Sequence, residues 1–399
     1  MTDAAITMHE PARTSDGARP QDELLPFLNN FHDIFTTIGV LLLGGGLAFG
    51  AGQILDAVAA DMSAASGQFV FIGLQAGIAV IYWLISTVLV GRQRRILPGI
   101  VLALGFIGAA STVLTWLYFR FLMDGAGLTE ASIEARFDAI EEPDSFNRET
   151  VGEIAGALPL VLRLSPIVFV LATVIPVALY YFSFRLPFAG GLLGVTLAAL
   201  AGATLLTVEP YTFLVYLPAV LVALGGCLLL AGIIFDARDP NRQTRLAGTA
   251  FWLHFFAAPI LLFAVLNVTR MGWSLSESDF DDGSIFGIFG ALLGEGGNAT
   301  QAAITALIVI GCFALVALLI NRRALIVSGL ITAGISIGVI VNSAGLESGA
   351  VVAVTLLVLG GTVVLLGAAW NPVRRVLLAP FPSSGPLARI FPPVNAHEG

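Results

Sequence analysis

FVFIGLQAGIAVIYWLISTVLVGRQRRILPGIVLALGFIGAASTVLTWLYFR, residues 69–120, is the stretch that decides the fold. Two apolar runs, 69–90 and 96–120, flank a turn at 91–95 that carries Arg92, Arg94 and Arg95. Each run reaches the roughly 20 residues a helix needs to cross the hydrocarbon core of a bilayer. In lipid the backbone must satisfy its own hydrogen bonds, so such runs become helices. Barrel strands would instead alternate apolar and polar residues over about 10 positions, and these runs do not alternate.

The same plan continues in both directions. Apolar runs recur at 34–56, 159–182, 188–207, 211–235, 247–268, 301–320, 324–343 and 350–370. Composition agrees: the 399 residues are 57% hydrophobic and 12% charged, against about 25% charged in a soluble chain. The fold class expected is all-α, a polytopic integral membrane bundle of about ten transmembrane helices. Residues 1–30 read as a polar N-terminal tail, 31–371 as the bundle with long loops at 123–158 and 270–300, and 372–399 as a proline-rich tail, loosely ordered. No apolar leader is expected ahead of the first span.

Charge gives the orientation. All nineteen basic residues are arginine, a usage that fits a GC-rich, bacterial genome. With ten crossings, Arg13, Arg19, Arg92, Arg94, Arg95, Arg185, Arg238, Arg242, Arg245, Arg322, Arg323, Arg374, Arg375 and Arg389 fall on one side. The other side collects acids, among them Asp56, Asp61, Glu209, Glu277, Asp279, Asp281, Asp282, Glu295 and Glu347. The positive-inside rule places the arginine side, and both termini, in the cytoplasm of a bacterial inner-membrane protein. The net charge of −8 then marks a membrane side and not a ligand.

Two external loops carry further signals. In 128–141 and 149–158 apolar residues recur at helical spacing, which predicts amphipathic helices on the outer face. Residues 284–294, SIFGIFGALLG, are apolar but too short to span, which suits a re-entrant or interfacial segment.

Candidate site residues are the polar groups inside spans. His254 lies in FWLHFFAAP (251–259), about two turns from the arginine end of its span, with Pro259 one turn further on. An ionisable group at that depth is costly and points to a function such as proton relay or solute binding. The alternative is a neutral histidine bonded to a carbonyl or hydroxyl of a neighbouring helix. Arg163 shares its span with Pro159, Pro166 and Pro176. It reads as an anion contact in a discontinuous helix or as an arginine snorkelling to headgroups. Asn267 and Gln75 read as polar-path or interhelical hydrogen-bonding groups, and Glu209 as a cation contact at a pore mouth or a solvated turn acid. Cys227 and Cys312 read as buried free thiols. Paired glycines such as Gly44-Gly45-Gly46 read as close helix contacts.

The chemistry-bearing motifs are missing. With no lysine there is no phosphate loop of the G-x-x-x-x-G-K type. There is no H-E-x-x-H, no G-x-S-x-G and no cysteine–histidine metal spacing. No cofactor, no metal and no nucleic-acid partner is expected. The partners expected are the lipid bilayer and, for a permease, a small-molecule solute.

Three stretches, FWLHFFAAP at 251–259, NRRALIVSG at 321–329 and WNPVRR at 370–375, resemble multi-pass inner-membrane proteins of proteobacteria. The likeness covers the second half of the chain. It implies the membrane fold and brings no assigned activity. Three function classes stay open. The leading expectation is a non-enzymatic membrane scaffold, sensor or envelope component. The second is a secondary transporter with its site near 159–182 and 247–268. The third is an enzyme acting on lipid-linked substrates through external acids.

Overall fold

A computed structural model describes residues 31–59, 64–122, 147–239, 244–275, 299–322 and 324–382, with isolated positions beyond them. Every regular element among these is helical. The helices are α1 Phe31–Ala59, α2 Ala64–Ser86, α3 Leu97–Arg120, α4 Arg148–Ala157, α5 Leu160–Arg163, α6 Ser165–Phe184, α7 Pro187–Val208, α8 Pro210–Val215, α9 Leu217–Arg238, α10 Arg245–Met271, α11 Ala299–Ile320, α12 Ala324–Ser343 and α13 Ser348–Leu378. Among the described residues eight helices are long and apolar enough to cross a membrane, and α13, bent by 54° between Leu365 and Gly367, makes a ninth if its two parts are one span. The fold is therefore a multi-pass helical bundle of membrane-spanning type.

The turns form where arginine interrupts the apolar runs. α2 widens into a π-helical turn, Thr87–Arg92. Arg94, Arg185 and Asn321 each adopt a left-handed conformation, with φ of 55°, 52° and 54°. That conformation ends a helix by turning the chain so that amides at the end bond its last carbonyls. The same reversal closes the α2–α3, α6–α7 and α11–α12 hairpins. Prolines in the first turn of α3, α6, α7, α8 and α9 occupy positions where no amide donor is lost.

Packing radiates from α10. Half of its apolar window is buried, against a third or less in the other spans. It contacts α7, α9, α11 and α12. Small residues on α7 permit the approach: a Cβ on Gly191 would meet Trp252 Cβ at 2.4 Å. A second core gathers Leu102, Ala103, Phe106, Val177, Tyr180 and Phe188. There the Tyr180 hydroxyl donates to Ser86 Oγ at 3.0 Å, and Ser86 donates to the Tyr82 carbonyl.

Several expectations change. α10 runs unbroken through Pro259. The short helices α5 and α8 precede α6 and α9, with breaks at Leu164 and Tyr216, and α6 and α9 are each long enough to span alone. α13 continues past Trp370 to Leu378 with Pro372 inside it, and Phe391 of the tail packs on Phe381 with ring centroids 5.0 Å apart. Both cysteines are exposed on the bundle surface and not buried; an apolar run does not reveal which of its faces meets lipid. The 149–158 helix is present as α4, with Val151 buried. The tail 1–30, most of 128–141 and all of 284–294 lie outside the described residues.

Candidate functional site

The site grows from one misplaced charge. Asp236 belongs to α9, in its last turn before Arg238, at the end of the helix that carries arginines. Its carboxylate is largely covered, with its side chain 16% exposed. A buried carboxylate persists only when its oxygens find donors. Three are present. Arg322 Nη2 donates to Oδ1. Arg322 Nε donates to Oδ2 at 2.7 Å. His254 Nε2 faces the same Oδ2 at 2.9 Å. The guanidinium thus grips the carboxylate with both arms of its fork, the strongest common geometry for such a pair.

The local sequence explains each placement. His254 stands on α10, the helix next in sequence to α9, and is fully buried. Gly232, one turn before Asp236 on α9, makes room for the ring: a Cβ there would lie 2.7 Å from His254 Cε1. Since Nε2 faces a carboxylate, it carries the hydrogen. Nδ1 is left buried without a partner among the described residues. Arg322 comes from the α11–α12 turn, where Asn321 reverses the chain and the Arg322 amide donates to the Ala317 carbonyl at 2.8 Å. The side chain is 2% exposed.

A second layer holds that turn. Trp370 Nε1 donates to Asn321 Oδ1 at 2.9 Å. Arg374, 1% exposed, donates through Nε to the Leu318 carbonyl at 2.8 Å. α13 therefore clamps the end of α11. The three stretches singled out in sequence, 251–259, 321–329 and 370–375, meet here in space. Nearby, Asp239 accepts from the Thr244 amide at 2.8 Å and from its hydroxyl at 2.6 Å, closing the α9–α10 connection. At the same end of the bundle, Arg95 reaches Asp33 Oδ1 at 3.2 Å and ties α1 to the α2–α3 turn.

The other candidates are dispersed, and no contact joins any of them to His254 among the described residues. Asn267 is buried further along α10; its Nδ2 donates to the Phe263 carbonyl at 2.9 Å and its Oδ1 has no partner among the described residues. Arg163 ends the short helix α5, half-buried. Gln75 lines a cavity of about 370 Å³ between α1, α2 and α3. Glu209 is exposed in the α7–α8 turn and pairs with Arg148 of α4 at 3.5 Å. Among the described residues no group of three His, Cys, Asp or Glu side chains gathers to hold a metal.

Sequence reading overlooked Asp236 and misjudged Arg322 and Arg374. Both arginines serve in the sequence only as markers of orientation, yet both are buried. The available signal was an acid at the arginine-bearing end of a span, where charge sorting leaves acids scarce. No protein-family model, curated protein or solved structure matches the chain.

Proposed function

We propose that the protein is a ten-span inner-membrane protein of a bacterium, akin to proteobacterial proteins of that kind, with both termini in the cytoplasm. It acts without catalysis, as a sensor or scaffold whose cytoplasmic end is locked by Asp236, His254 and Arg322. One observation carries this reading: both oxygens of Asp236 are engaged by protein donors. A carboxylate so occupied is a latch between the α9–α10 hairpin and the α11–α12 turn, not an open ligand site. Such a latch has two states, made and broken, and a two-state element is what a sensor requires.

A permease is the second reading. Two buried polar atoms on α10 without a partner among the described residues, His254 Nδ1 and Asn267 Oδ1, favour it, because polar and ionisable groups inside spans mark solute and proton paths.

Reconstitution separates the two. Proteoliposomes enclosing a pH-sensitive dye are challenged with amino acids, organic acids and sugars. A sensor or scaffold gives no solute-driven proton movement, while Asp236→Asn and deletion of 128–158 each abolish complementation of a host lacking the protein. Solute-driven flux that disappears in His254→Ala would replace the sensor reading with the permease.

A further inference from the structure

The chain does not leave the bundle where α13 ends. The Phe381 amide donates to the Leu378 carbonyl at 2.9 Å and begins a reversal. Gly385 continues it with a φ of 91°, a conformation open to glycine and costly for a residue with a Cβ. A helical turn then closes where the Phe391 amide donates to the Leu387 carbonyl at 2.8 Å. The Phe391 ring is thereby returned to 5.0 Å from the Phe381 ring.

Phe391 also packs on a buried apolar cluster that includes Leu318, Ile320, Leu325 and Trp370. Three of these flank the α11–α12 turn, and the fourth bonds that turn through Asn321. Leu318 serves twice: its carbonyl accepts from Arg374 Nε, and its side chain belongs to the cluster. Arg322, two residues after Ile320, holds Asp236. The stretch 318–325 therefore carries both the latch and the seat of the tail.

The contact is one that can open. Phe391 is only half-buried, and Phe381 is 37% exposed. A cavity of about 160 Å³ lies beneath the returned chain, lined in part by Arg375, Leu378, Phe381 and Phe391. Protein interiors keep few voids larger than a water molecule, so this seat falls short of interior packing. Half the burial of a phenylalanine corresponds to an equilibrium constant of about five to ten. A contact of that strength holds the tail while the seat keeps its shape and releases it when the seat changes.

We propose that the C-terminal tail is the moving readout of the latch, an assignment that rests on the latch proposed above. The tail is docked against the α11–α12 turn while Asp236 holds Arg322, and it is released when that pair opens. Coupling of this kind is reciprocal, so forcing the tail off loosens the turn.

Hydrogen–deuterium exchange of the full chain in lipid nanodiscs, read by mass spectrometry, tests this. Three segments are followed: the tail at 387–394, the turn at 317–325, and the α2–α3 turn at 92–96 as an internal standard. A Cβ at Gly385 meets nothing within 4 Å, so Gly385→Ala removes no contact and strains only the docked backbone. It should speed exchange in the tail about tenfold and in 317–325 severalfold, with 92–96 unchanged. Phe391→Ala should do the same. Asp236→Asn should speed exchange in 317–325 and in the tail together. The proposal is overturned if Asp236→Asn loosens the turn and leaves the tail as in the wild type, or if both tail variants leave 317–325 unchanged. Either outcome strikes the coupling and leaves the latch standing. Exchange that rises in step at 92–96 would be general loosening and would overturn the coupling as well. If Asp236→Asn leaves 317–325 itself unchanged, the latch has failed and the readout with it.

Discussion

Asp236 stands where charge sorting leaves acids scarce, and its partners absorb the cost. Removing one partner of a buried ion pair strands the other charge, at about 3–5 kcal/mol. Asp236→Asn and Arg322→Gln should each lower stability by that order in thermal unfolding of the detergent-solubilised protein. The double variant should cost clearly less than the two singles together; strict additivity would mean that the pair is not coupled. Gly232 gives a second test. A Cβ there meets the His254 ring at 2.7–3.0 Å, and overpacking of this kind costs about 1–3 kcal/mol. Gly232→Ala should therefore destabilise the wild type and be nearly neutral beside His254→Ala. Equal cost in both backgrounds would show that the imidazole does not fill that notch. At this scale the sequence was half legible. His254 drew attention by its depth in an apolar run. Arg322 was visible too, but as one topology marker among many, because hydropathy and charge sorting say which end of a helix a residue occupies and not what its side chain meets.

At the scale of elements, helix positions were legible almost throughout, since lipid dictates length and arginine dictates the turns. The ends of α3, α7 and α12 fall within a residue or two of the apolar runs that predicted them. What hydropathy hid was continuity. Pro259 sits inside an unbroken α10, whereas Pro166 and Pro218 stand in the first turns of α6 and α9, just after breaks at Leu164 and Tyr216. A proline marks a helix start or a kink according to the packing around it, and that packing is non-local. The extension of α13 to Leu378 was hidden for the same reason: its last turns are held by the contact of Arg374 with the Leu318 carbonyl, 56 residues earlier in the chain. The α11–α12 turn depends on Asn321, which combines a φ of 54° with the hydrogen bond from Trp370. Asn321→Ala loses the bond and the short polar side chain that eases the left-handed conformation, for about 2 kcal/mol in all. Asn321→Gly loses the side-chain contacts but adopts the left-handed conformation freely, and should cost less, about 1 kcal/mol. Amide exchange at 317–325 should rise in the alanine variant more than in the glycine variant. The reverse order would show that backbone strain is not what the asparagine relieves.

At the scale of the whole molecule, the bundle was legible as a class because few polymers with this composition have any other option. The cavity between α1, α2 and α3 was not: it depends on which stripes face each other, and the Gly/Ala-rich sequence of α1 is compatible with several faces. Orientation is the premise that puts the Asp236 latch in the cytoplasm, and compartment-specific labelling addresses it. In a background with Cys227 and Cys312 replaced by alanine, single cysteines go to Gln93 in the α2–α3 turn, Glu209 in the α7–α8 turn and Glu347 before α13. A membrane-impermeant maleimide applied to intact cells should label positions 209 and 347 and spare 93, with 93 becoming reactive once the membrane is opened. Labelling of 93 and 209 from the same side of a sealed membrane would contradict the threading, and with it the cytoplasmic placement of the latch.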